Sequence, residues 1–428
     1  MLNIIFNKYK LQIKSKIAIS VWQNKKKATI FASQNFNMQA FYKTHRYRIE
    51  HLNQPVRREL FHAVDWSKRL IGIKGSRGVG KTTFLLDFAK QTYGLDKSCL
   101  YVNMNNLYFT SHSIVSFADE FRKTGGKTLI IDQIYKYPDW SKELKYCYDN
   151  FTDLQIVFSG SSVMPLEEDN PDLDGRVSAY TLEGFSFREY LNLKSGSSFQ
   201  SISFNDILNG HEEISREIVS KIRPLAFYND YLHHGYYPFF LDKHNYFEIL
   251  LKTINFILEI DISYLQQVEL KYLPKLRKLL YLVAKSAPFQ PNISKLSNEV
   301  ETSRATVMNY LNYLKQAQLI NLLFESGDNQ AKKAAYIYMQ NPNLVYSVYK
   351  GETDQKLLNR TFFYNQVAYN NEVNYCKEGD FLVNGEYVFC IDRKVPSGSK
   401  KGRHVIAKNM IEVGDKNVIP LWLFGFLH

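Results

Sequence analysis

The chain has 428 residues, of which 45% are hydrophobic and 15% aromatic, and its formal net charge is +12. This length exceeds one ordinary core and predicts two or three domains, and the composition excludes a largely disordered chain. No apolar run approaches the roughly 20 residues that a membrane-spanning helix needs, so we expect a cytoplasmic protein without a membrane partner. The four cysteines include no CxxC pair, which argues against a zinc site or a disulfide framework.

The excess positive charge is concentrated at the N-terminus. Residues 1–37 contain seven lysines and no acidic residue, so they carry seven of the twelve excess charges and leave five for the rest of the chain. These residues show neither helical nor strand periodicity. We therefore predict either a disordered basic tail or a start site placed too early, with helical patterning beginning near Met38.

The segment 38–184 alternates short apolar strands with helical stretches. Strands that alternate with helices predict a parallel sheet covered by helices on both faces, which is a three-layer α/β fold. The five predicted strands are RLIGIKG (69–75), CLYVNM (99–104), KTLIID (127–132), LQIVFSG (154–160) and AYTLEG (179–184).

A glycine-rich loop follows the first predicted strand and opens a helix. The sequence GSRGVGKTT fits the pattern G-x-x-x-x-G-K-[ST], in which backbone N–H groups surround an anionic phosphate at a helix N-terminus. In that pattern Lys81 reaches the β- and γ-phosphates and the Thr82 hydroxyl ligates Mg²⁺, so we expect ATP and Mg²⁺ as cofactors. The predicted binding residues are Gly75, Ser76, Arg77, Gly78, Val79, Gly80, Lys81, Thr82 and Thr83.

An acidic residue ends the third predicted strand. Asp132 follows the apolar run TLII, and a carboxylate there is the further protein ligand that Mg²⁺ requires beside a phosphate loop; the alternative is a residue that only caps a loop. The next residue is Gln133, where a glutamate would ordinarily activate water. A glutamine cannot take up a proton as a carboxylate does, so the sequence predicts nucleotide binding and leaves the rate of hydrolysis open.

Two further residues are candidates for catalysis. Ser161, or its neighbour Ser162, follows the fourth strand, where a polar side chain can sense the γ-phosphate and orient water, although serines are also common in turns after strands. Arg176 precedes the fifth strand, where an arginine can stabilise transition-state charge in its own subunit or in a neighbouring subunit of a homo-oligomer. An ordinary surface arginine explains Arg176 equally well, and the same two interpretations apply to Arg188.

The middle of the chain changes character twice. Residues 185–268 have helical patterning, and residues 269–344 are predicted to form three helices followed by a hairpin, which is the outline of a winged helix. Winged helices contact either DNA or proteins, and both interpretations stay open here. The residues that would reach DNA are Arg304, Met308 and Asn312 on the third helix and Lys332 and Lys333 on the predicted wing.

Short strands dominate the predictions for residues 345–428, including a hairpin that turns at Asn384 and Gly385. Asp380 and, across that hairpin, Asp392 and Lys394 match a metal-nuclease arrangement, in which two carboxylates hold Mg²⁺ and a lysine stabilises charge. A strand end capped by a lysine explains the same three residues.

The motifs GSRGVGKTTFLL, LIIDQIYKYPDW, IVFSGSS, LEGFSFREYL and IPLWLFGFL together resemble a family of prokaryotic AAA+ ATPases. Members of that family carry a C-terminal domain with a restriction-endonuclease-like fold. The resemblance begins near Met38 and implies an AAA+ core at 38–184, a helical lid at 185–268, a winged helix at 269–344 and a small α+β nuclease-like tail at 345–428. It also implies that Gly80, Lys81 and Thr82 bind phosphate and Mg²⁺ and that Asp132 is the second acid. The family usually has Asp-Glu where this chain has Asp132-Gln133.

The sequence supports three hypotheses about function. The leading hypothesis is an ATP-binding AAA+ protein whose Mg²⁺-dependent and slow hydrolysis is coupled to domain movement. The first alternative is an ATP-gated DNA nuclease that uses the tail acids. The second is a DNA-binding or scaffold protein that holds nucleotide without turning it over.

Overall fold

The computed structural model describes residues 38–241, 245–263, 266, 268–327, 334–396 and 404–428. The predicted basic tail, residues 1–37, and the predicted wing lysines, Lys332 and Lys333, lie outside these ranges. The described chain forms two compact units, one of residues 38–53 and 85–157 and one of residues 54–84 together with the described residues from 158 onward. The predicted segment boundaries at residues 184, 268 and 344 stay predictions.

Two paired strands and their helices form the first unit. Helix α1 spans residues 38–50, and the other elements in chain order are β2 (Cys99–Asn103), α4 (Ile114–Lys123), β3 (Thr128–Asp132) and α5 (Trp140–Asn150). Strands β2 and β3 run parallel, with Asn103 beside Asp132. Every residue of β3 is buried, which explains its continuous apolar run.

The second unit contributes strands β1 (Leu70–Lys74) and β5 (Ser178–Thr181), which pair in parallel. Helix α2 (Leu60–Ala63) precedes β1, and helix α3 (Lys81–Thr92) follows it, with residues 81–84 in this unit and residues 85–92 in the first. Strand β4 (Gln155–Ser159) belongs to both units by sequence, and the five strands follow the order β2-β3-β4-β1-β5. This confirms the predicted α/β fold with a parallel sheet.

Helices follow the sheet, as the sequence predicts. They are α6 (Phe187–Ser195), α7 (Phe204–Lys221), α8 (Leu225–His234) and α9 (Tyr246–Phe256). Ser186 and Glu189 form a capping box at the start of α6, which explains why the helix begins there. Helix α9 continues directly into a π-helix, Ile257–Ile262.

Three helices and a hairpin come next, in the predicted order. They are α10 (Leu273–Ser286), α11 (Ile293–Val300), α12 (Arg304–Gln316), β6 (Ile320–Leu323) and β7 (Tyr336–Met339). Strands β6 and β7 are antiparallel, and Phe289 forms an additional bridge with Ile337. The elements come in the predicted order, while the winged-helix identity of this region and its contact with DNA both stay predictions.

The C-terminal region combines two helices with a second sheet. Its elements are α13 (Pro342–Val348), α14 (Gln355–Val367), β8 (Val373–Asn374), β9 (Phe381–Val383), β10 (Tyr387–Ile391), β11 (His404–Lys408) and β12 (Val418–Pro420). The sheet order is β12-β11-β10-β9-β8, and the predicted hairpin joins β9 and β10 through Asn384 and Gly385 at φ of 53° and 69°. Within the described ranges, no helix combines the length and apolar character needed to cross a bilayer.

Helix α14 is the main element that the sequence did not predict, because short strands dominate the predictions for residues 345–428. Eight of its thirteen residues are buried, including four in succession at positions 361–364. A helix buried around most of its circumference lacks the polar face that produces helical periodicity. Its central TFFY run, with a β-branched residue and three aromatic residues, is typical of strands and does not indicate a helix.

Candidate functional site

The phosphate loop lies between strand β1 and helix α3, in the context that the sequence predicts. The Lys81 ammonium donates to two carbonyl oxygens of its own loop, that of Gly75 at 2.7 Å and that of Ser76 at 2.8 Å. Thr82 is half-buried and Thr83 is exposed. The structure thus places the Lys81 ammonium beside the loop whose backbone N–H groups would bind a phosphate.

Packing explains one glycine of this loop independently of any ligand. Gly78 has a φ of 91°, which is unfavourable for residues with a Cβ atom. A Cβ atom at this position would lie 2.5 Å from Cζ of Phe239, a residue of the 3-10 helix Pro238–Leu241. A side chain at position 78 would therefore strain the backbone and collide with the ring.

Arg58 fixes the loop to its surroundings from a buried position. Its Nη1 atom donates to the Val79 carbonyl oxygen at 3.1 Å, and its Nη2 atom donates to the carbonyls of Glu183 and Gly184 at 2.8 Å. Its Nε atom lies 3.1 Å from both carboxylate oxygens of Glu189. Burial by itself would raise the pKa of Glu189, but the Arg58 charge and the Glu59 N–H bring that pKa below its usual value.

A glutamine from the turn between α12 and β6 contacts the start of the loop. The Ser76 N–H donates to Gln318 Oε1 at 2.8 Å, and Gln318 Nε2 donates to Glu183 Oε1 at 2.6 Å. The Tyr236 hydroxyl donates to the other oxygen of Glu183 at 3.0 Å. Burial raises the pKa of Glu183. These bonds form a chain of polar contacts from the phosphate loop to Tyr236.

The next loop residue, Arg77, is engaged by an acid on the π-helix. Its Nη2 atom lies 2.7 Å from Oδ1 of Asp261, and its Nε atom lies 3.4 Å from Oδ2. The Arg77 guanidinium also lies 5.9 Å from the centroid of the Phe256 ring. Residues 76 and 77 of the loop are therefore both held by side chains far from them in sequence.

The predicted second acid, Asp132, is buried at the end of β3. Its Oδ2 atom accepts hydrogen bonds from the Tyr101 hydroxyl at 2.7 Å and from Asn103 Nδ2 at 3.0 Å, and both donors lie on the neighbouring strand β2. Burial, together with the charge of Asp132, raises the pKa of the Tyr101 phenol. The phenol therefore remains a donor that orients the carboxylate.

Gln133 follows Asp132 in a left-handed conformation, with a φ of 57°. Its Oε1 atom accepts from Asn105 Nδ2 at 3.1 Å, and Lys136 Nζ donates to Asn105 Oδ1 at 2.5 Å. A non-glycine residue in this conformation carries about 1 kcal/mol or more of strain, which is common near functional sites. The Asn105 amide thus orients the Gln133 side chain, and it could donate in the same way to a glutamate at this position.

The remaining catalytic candidates have unlike surroundings. Ser161 is buried just beyond strand β4. Arg176 is half-buried in a turn, and its Nη1 atom lies 3.4 Å from the Asp174 carbonyl oxygen. Arg188 is buried, pairs with Glu59 at 2.8 Å and donates to the Phe199 carbonyl oxygen at 3.0 Å. These contacts explain Arg188 as a residue that stabilises packing.

The tail acids are engaged by protein donors. Asp380 pairs with Arg360 at 3.2 Å and with Arg393 at 2.9 Å. Asp392 accepts from Asn359 Nδ2 at 2.6 Å and from the Asn409 N–H at 2.7 Å. Lys394 is exposed, and among the described residues no group of three or more histidines, cysteines or acids could hold a metal ion.

Three residues that contact the phosphate loop were not predicted, namely Arg58, Asp261 and Gln318. None belongs to a motif with a fixed distance from the loop, and Gln318 lies 242 residues beyond Ser76. An isolated arginine, aspartate or glutamine in a helical region carries no signal that separates it from surface residues. Only the folded structure brings these three to the loop.

The chain matches two known domain families. Residues 67–191 match the AAA domain family. This AAA domain contains strands β1 to β5, the phosphate loop and Asp132, and the match supports a nucleotide-binding P-loop AAA+ ATPase. Residues 226–355 match a domain family of unknown function, and we refer to them as the 226–355 domain. It spans the predicted boundaries at residues 268 and 344.

Comparisons with individual proteins say less about this chain than the domain families do. A protein of Methanocaldococcus jannaschii, described only as uncharacterized, is 26% identical over 287 residues, which cover 63% of this chain. The chain spans 60% of the length of that relative. The solved structure of AMPPCP-bound DnaA from Aquifex aeolicus is 15% identical, with 64% of this chain and 86% of that chain covered and a TM-score of 0.23. A TM-score this low does not establish a common fold.

Proposed function

We propose that the protein binds ATP with Mg²⁺ at the phosphate loop of its AAA domain, hydrolyses it slowly and couples nucleotide occupancy to domain movement. The main support for ATP binding is the Lys81 ammonium, bonded to the carbonyls of Gly75 and Ser76. It supplies a positive charge at a helix N-terminus whose N–H groups also favour an anion. A nucleoside triphosphate is the ligand that this strand, loop and helix combination ordinarily takes, and the match to the AAA domain family favours ATP.

The residues available for Mg²⁺ are suited to that ion. Thr82 offers a hydroxyl and Asp132 a carboxylate, and Mg²⁺ prefers such oxygen ligands together with phosphate oxygens and water. Tyr101 and Asn103 orient the Asp132 carboxylate. Bound Mg²⁺ would neutralise the charge that develops on the transferred phosphoryl group.

Slow hydrolysis is proposed because of Gln133. Its amide can orient a water molecule through Oε1, but it cannot remove the proton that leaves during attack on the γ-phosphate. Ser161 and Arg176 remain proposed as residues that sense phosphate and stabilise charge, respectively. Domain movement would follow if bound ATP replaced some of the contacts that protein side chains make with the loop.

Nucleotide titration of wild type and Lys81→Ala tests the proposal. Removal of the charged donor should weaken MgATP binding by about 10- to 100-fold, which corresponds to the loss of one charge-assisted hydrogen bond. Lys142→Ala is a matched control, because that ammonium pairs with Asp139 at the surface at 2.8 Å. A Lys81→Ala protein that binds MgATP as tightly as wild type would refute the proposal.

The nuclease alternative has less support. Two arginines counter the charge of Asp380, and both oxygens of Asp392 accept protein hydrogen bonds. Incubation with plasmid DNA and Mg²⁺ should therefore leave the plasmid intact. Cleavage by wild type that Asp392→Ala abolishes would restore the alternative, whereas cleavage that survives Asp392→Ala would exclude this centre.

DNA binding without cleavage is supported by one observation, the solvent-facing side of helix α12. Arg304 and Asn312 are exposed there and Met308 is half-buried, as the sequence predicts. The same face would serve a protein partner equally well. Band-shift titrations of wild type and Arg304→Ala with duplex DNA distinguish the two, since only a DNA-binding face should lose affinity for DNA with that change.

A further inference from the structure

Two neighbouring residues of the phosphate loop are held by the 226–355 domain. The Ser76 N–H donates to Gln318 Oε1 at 2.8 Å, and Arg77 pairs with Asp261 at 2.7 Å. Gln318 follows helix α12, whereas Asp261 lies on the π-helix, so the contacts come from two separate elements. We call these two contacts the loop latch.

The latch places a negative charge beside a loop that would receive negative phosphates. The Asp261 side chain is 3% exposed and that of Arg77 is 24% exposed. Charges that are shielded from solvent interact more strongly than charges in water. The Arg77 guanidinium is therefore engaged by Asp261, and a triphosphate at the loop has to compete for it.

The segment that carries Asp261 is suited to a change of conformation. Residues Ile257–Ile262 form a π-helix of six residues directly after helix α9. π-Helices are rare and occur frequently at functional sites. A change of this segment to α-helical hydrogen bonding would alter the direction of the Asp261 side chain.

We propose that the loop latch is an autoinhibitory contact, in which the 226–355 domain restrains the phosphate loop through Gln318 and Asp261 until ATP competes for Arg77. This inference rests on the proposed function, because it requires ATP at this loop. The coupling is reciprocal: a change that weakens the latch strengthens ATP binding, and bound ATP weakens the latch by the same factor. The 226–355 domain would thereby respond to nucleotide occupancy.

Asp261→Asn tests the latch, because it removes the charge and keeps the side-chain shape. In the full-length protein, MgATP should bind about 5- to 50-fold more tightly than to wild type, within the usual range of coupling between sites. The gain should be smaller for MgADP, which carries less negative charge. Asp119→Asn is the matched control, since Asp119 pairs with Arg122 and Lys123 on helix α4, and its MgATP affinity should not change.

A double-mutant cycle tests whether Asp261 acts through Arg77. In an Arg77→Ala background, Asp261→Asn should improve MgATP affinity by less than about twofold, because the group that it releases is gone. An equal gain in both backgrounds would overturn the latch. Gln318→Ala provides a second variant that leaves the ion pair intact, and it should strengthen MgATP binding by about two- to fivefold through release of the Ser76 N–H.

Hydrogen exchange gives a measurement that separates the latch from the proposed function. Exchange at residues 257–262 should accelerate when MgATP is added to wild type, and it should be fast in Asp261→Asn without nucleotide. If wild type does not bind ATP at all, the proposed function fails. If wild type binds ATP while Asp261→Asn changes neither affinity nor exchange, only the latch is refuted.

Discussion

Two carboxylates next to strands, Asp132 at the end of β3 and Asp380 just before β9, have unlike surroundings. The Oδ2 atom of Asp132 accepts hydrogen bonds from a phenol and an amide, those of Tyr101 and Asn103. Asp380 pairs with two guanidinium groups. Neutral donors orient a carboxylate without cancelling its charge, whereas guanidinium groups supply the countercharge that a metal ion would otherwise provide. The surroundings of Asp132 therefore fit the metal role proposed for it better than those of Asp380 would.

The two acids also differ in the residue that follows each of them. Gln133 follows Asp132, whereas the apolar Phe381 follows Asp380. Gln133→Glu should raise the rate of γ-phosphate release by about 10²- to 10⁴-fold, because it supplies a general base that the Asn105 amide already directs. Single-turnover release of γ-phosphate measures the effect. An unchanged rate would show that Gln133 does not limit hydrolysis.

Substitution of each acid by its amide tests directly whether only Asp132 serves Mg²⁺. Asp132→Asn keeps the side-chain shape but removes the charge, and Mg²⁺-dependent γ-phosphate release should fall by about 10²- to 10³-fold. Asp380→Asn is the matched control and should hydrolyse ATP at the wild-type rate. Release measured across a Mg²⁺ titration decides the question, and an equal loss in both proteins would remove the distinction between the two acids.

The arginines beside Asp380 should matter for stability. Arg393→Ala removes one of two countercharges from a carboxylate whose side chain is 8% exposed, and it should lower the free energy of unfolding by about 1–3 kcal/mol. The control is Arg216→Ala, which breaks an exposed pair with Glu212 and should change that free energy by about 0.5 kcal/mol or less. Urea denaturation at neutral pH measures both. Equal losses would mean that Asp380 does not depend on its arginines.

The smallest expected effect concerns the donor that orients Asp132. Tyr101→Phe removes only the hydroxyl that donates to Oδ2, so it should cost about 0.5–1.5 kcal/mol of unfolding free energy. Mg²⁺ half-saturation of γ-phosphate release should rise a few-fold, because the carboxylate is less well oriented. If half-saturation stays at the wild-type value, Tyr101 serves packing alone.

Local patterns in the sequence were sufficient for the sheet and the loop. Strand β3 was predictable because all its residues are buried and produce a continuous apolar run that ends at Asp132. The loop was predictable because its glycines and Lys81 act within nine consecutive residues. Helix α6 was predictable in part because Ser186 and Glu189 form its capping box three residues apart. In each case the physical cause lies within a few residues of its consequence.

The rest of the candidate site depends on contacts between distant residues. Arg393 lies between the predicted site residues Asp392 and Lys394 in the sequence, yet its Nε atom pairs with Asp380. The second partner of Asp380, Arg360, lies on helix α14, which the sequence did not predict. Asp261 and Gln318 contact the loop because residues that are far apart in the sequence of the second unit lie close together in its fold. No local pattern encodes such pairings.

The ring of Phe239 against Gly78 affects how the phosphate-loop motif should be used as an evolutionary record. Gly78 occupies a variable position of the pattern G-x-x-x-x-G-K-[ST] and packs against Phe239, so a glycine at that position in a related chain says little about ATP use. Lys81 is more informative, because its charge serves the phosphates. A relative that keeps Gly78 and the aromatic ring but has lost the lysine would retain the shape of the site without the charge that binds phosphate.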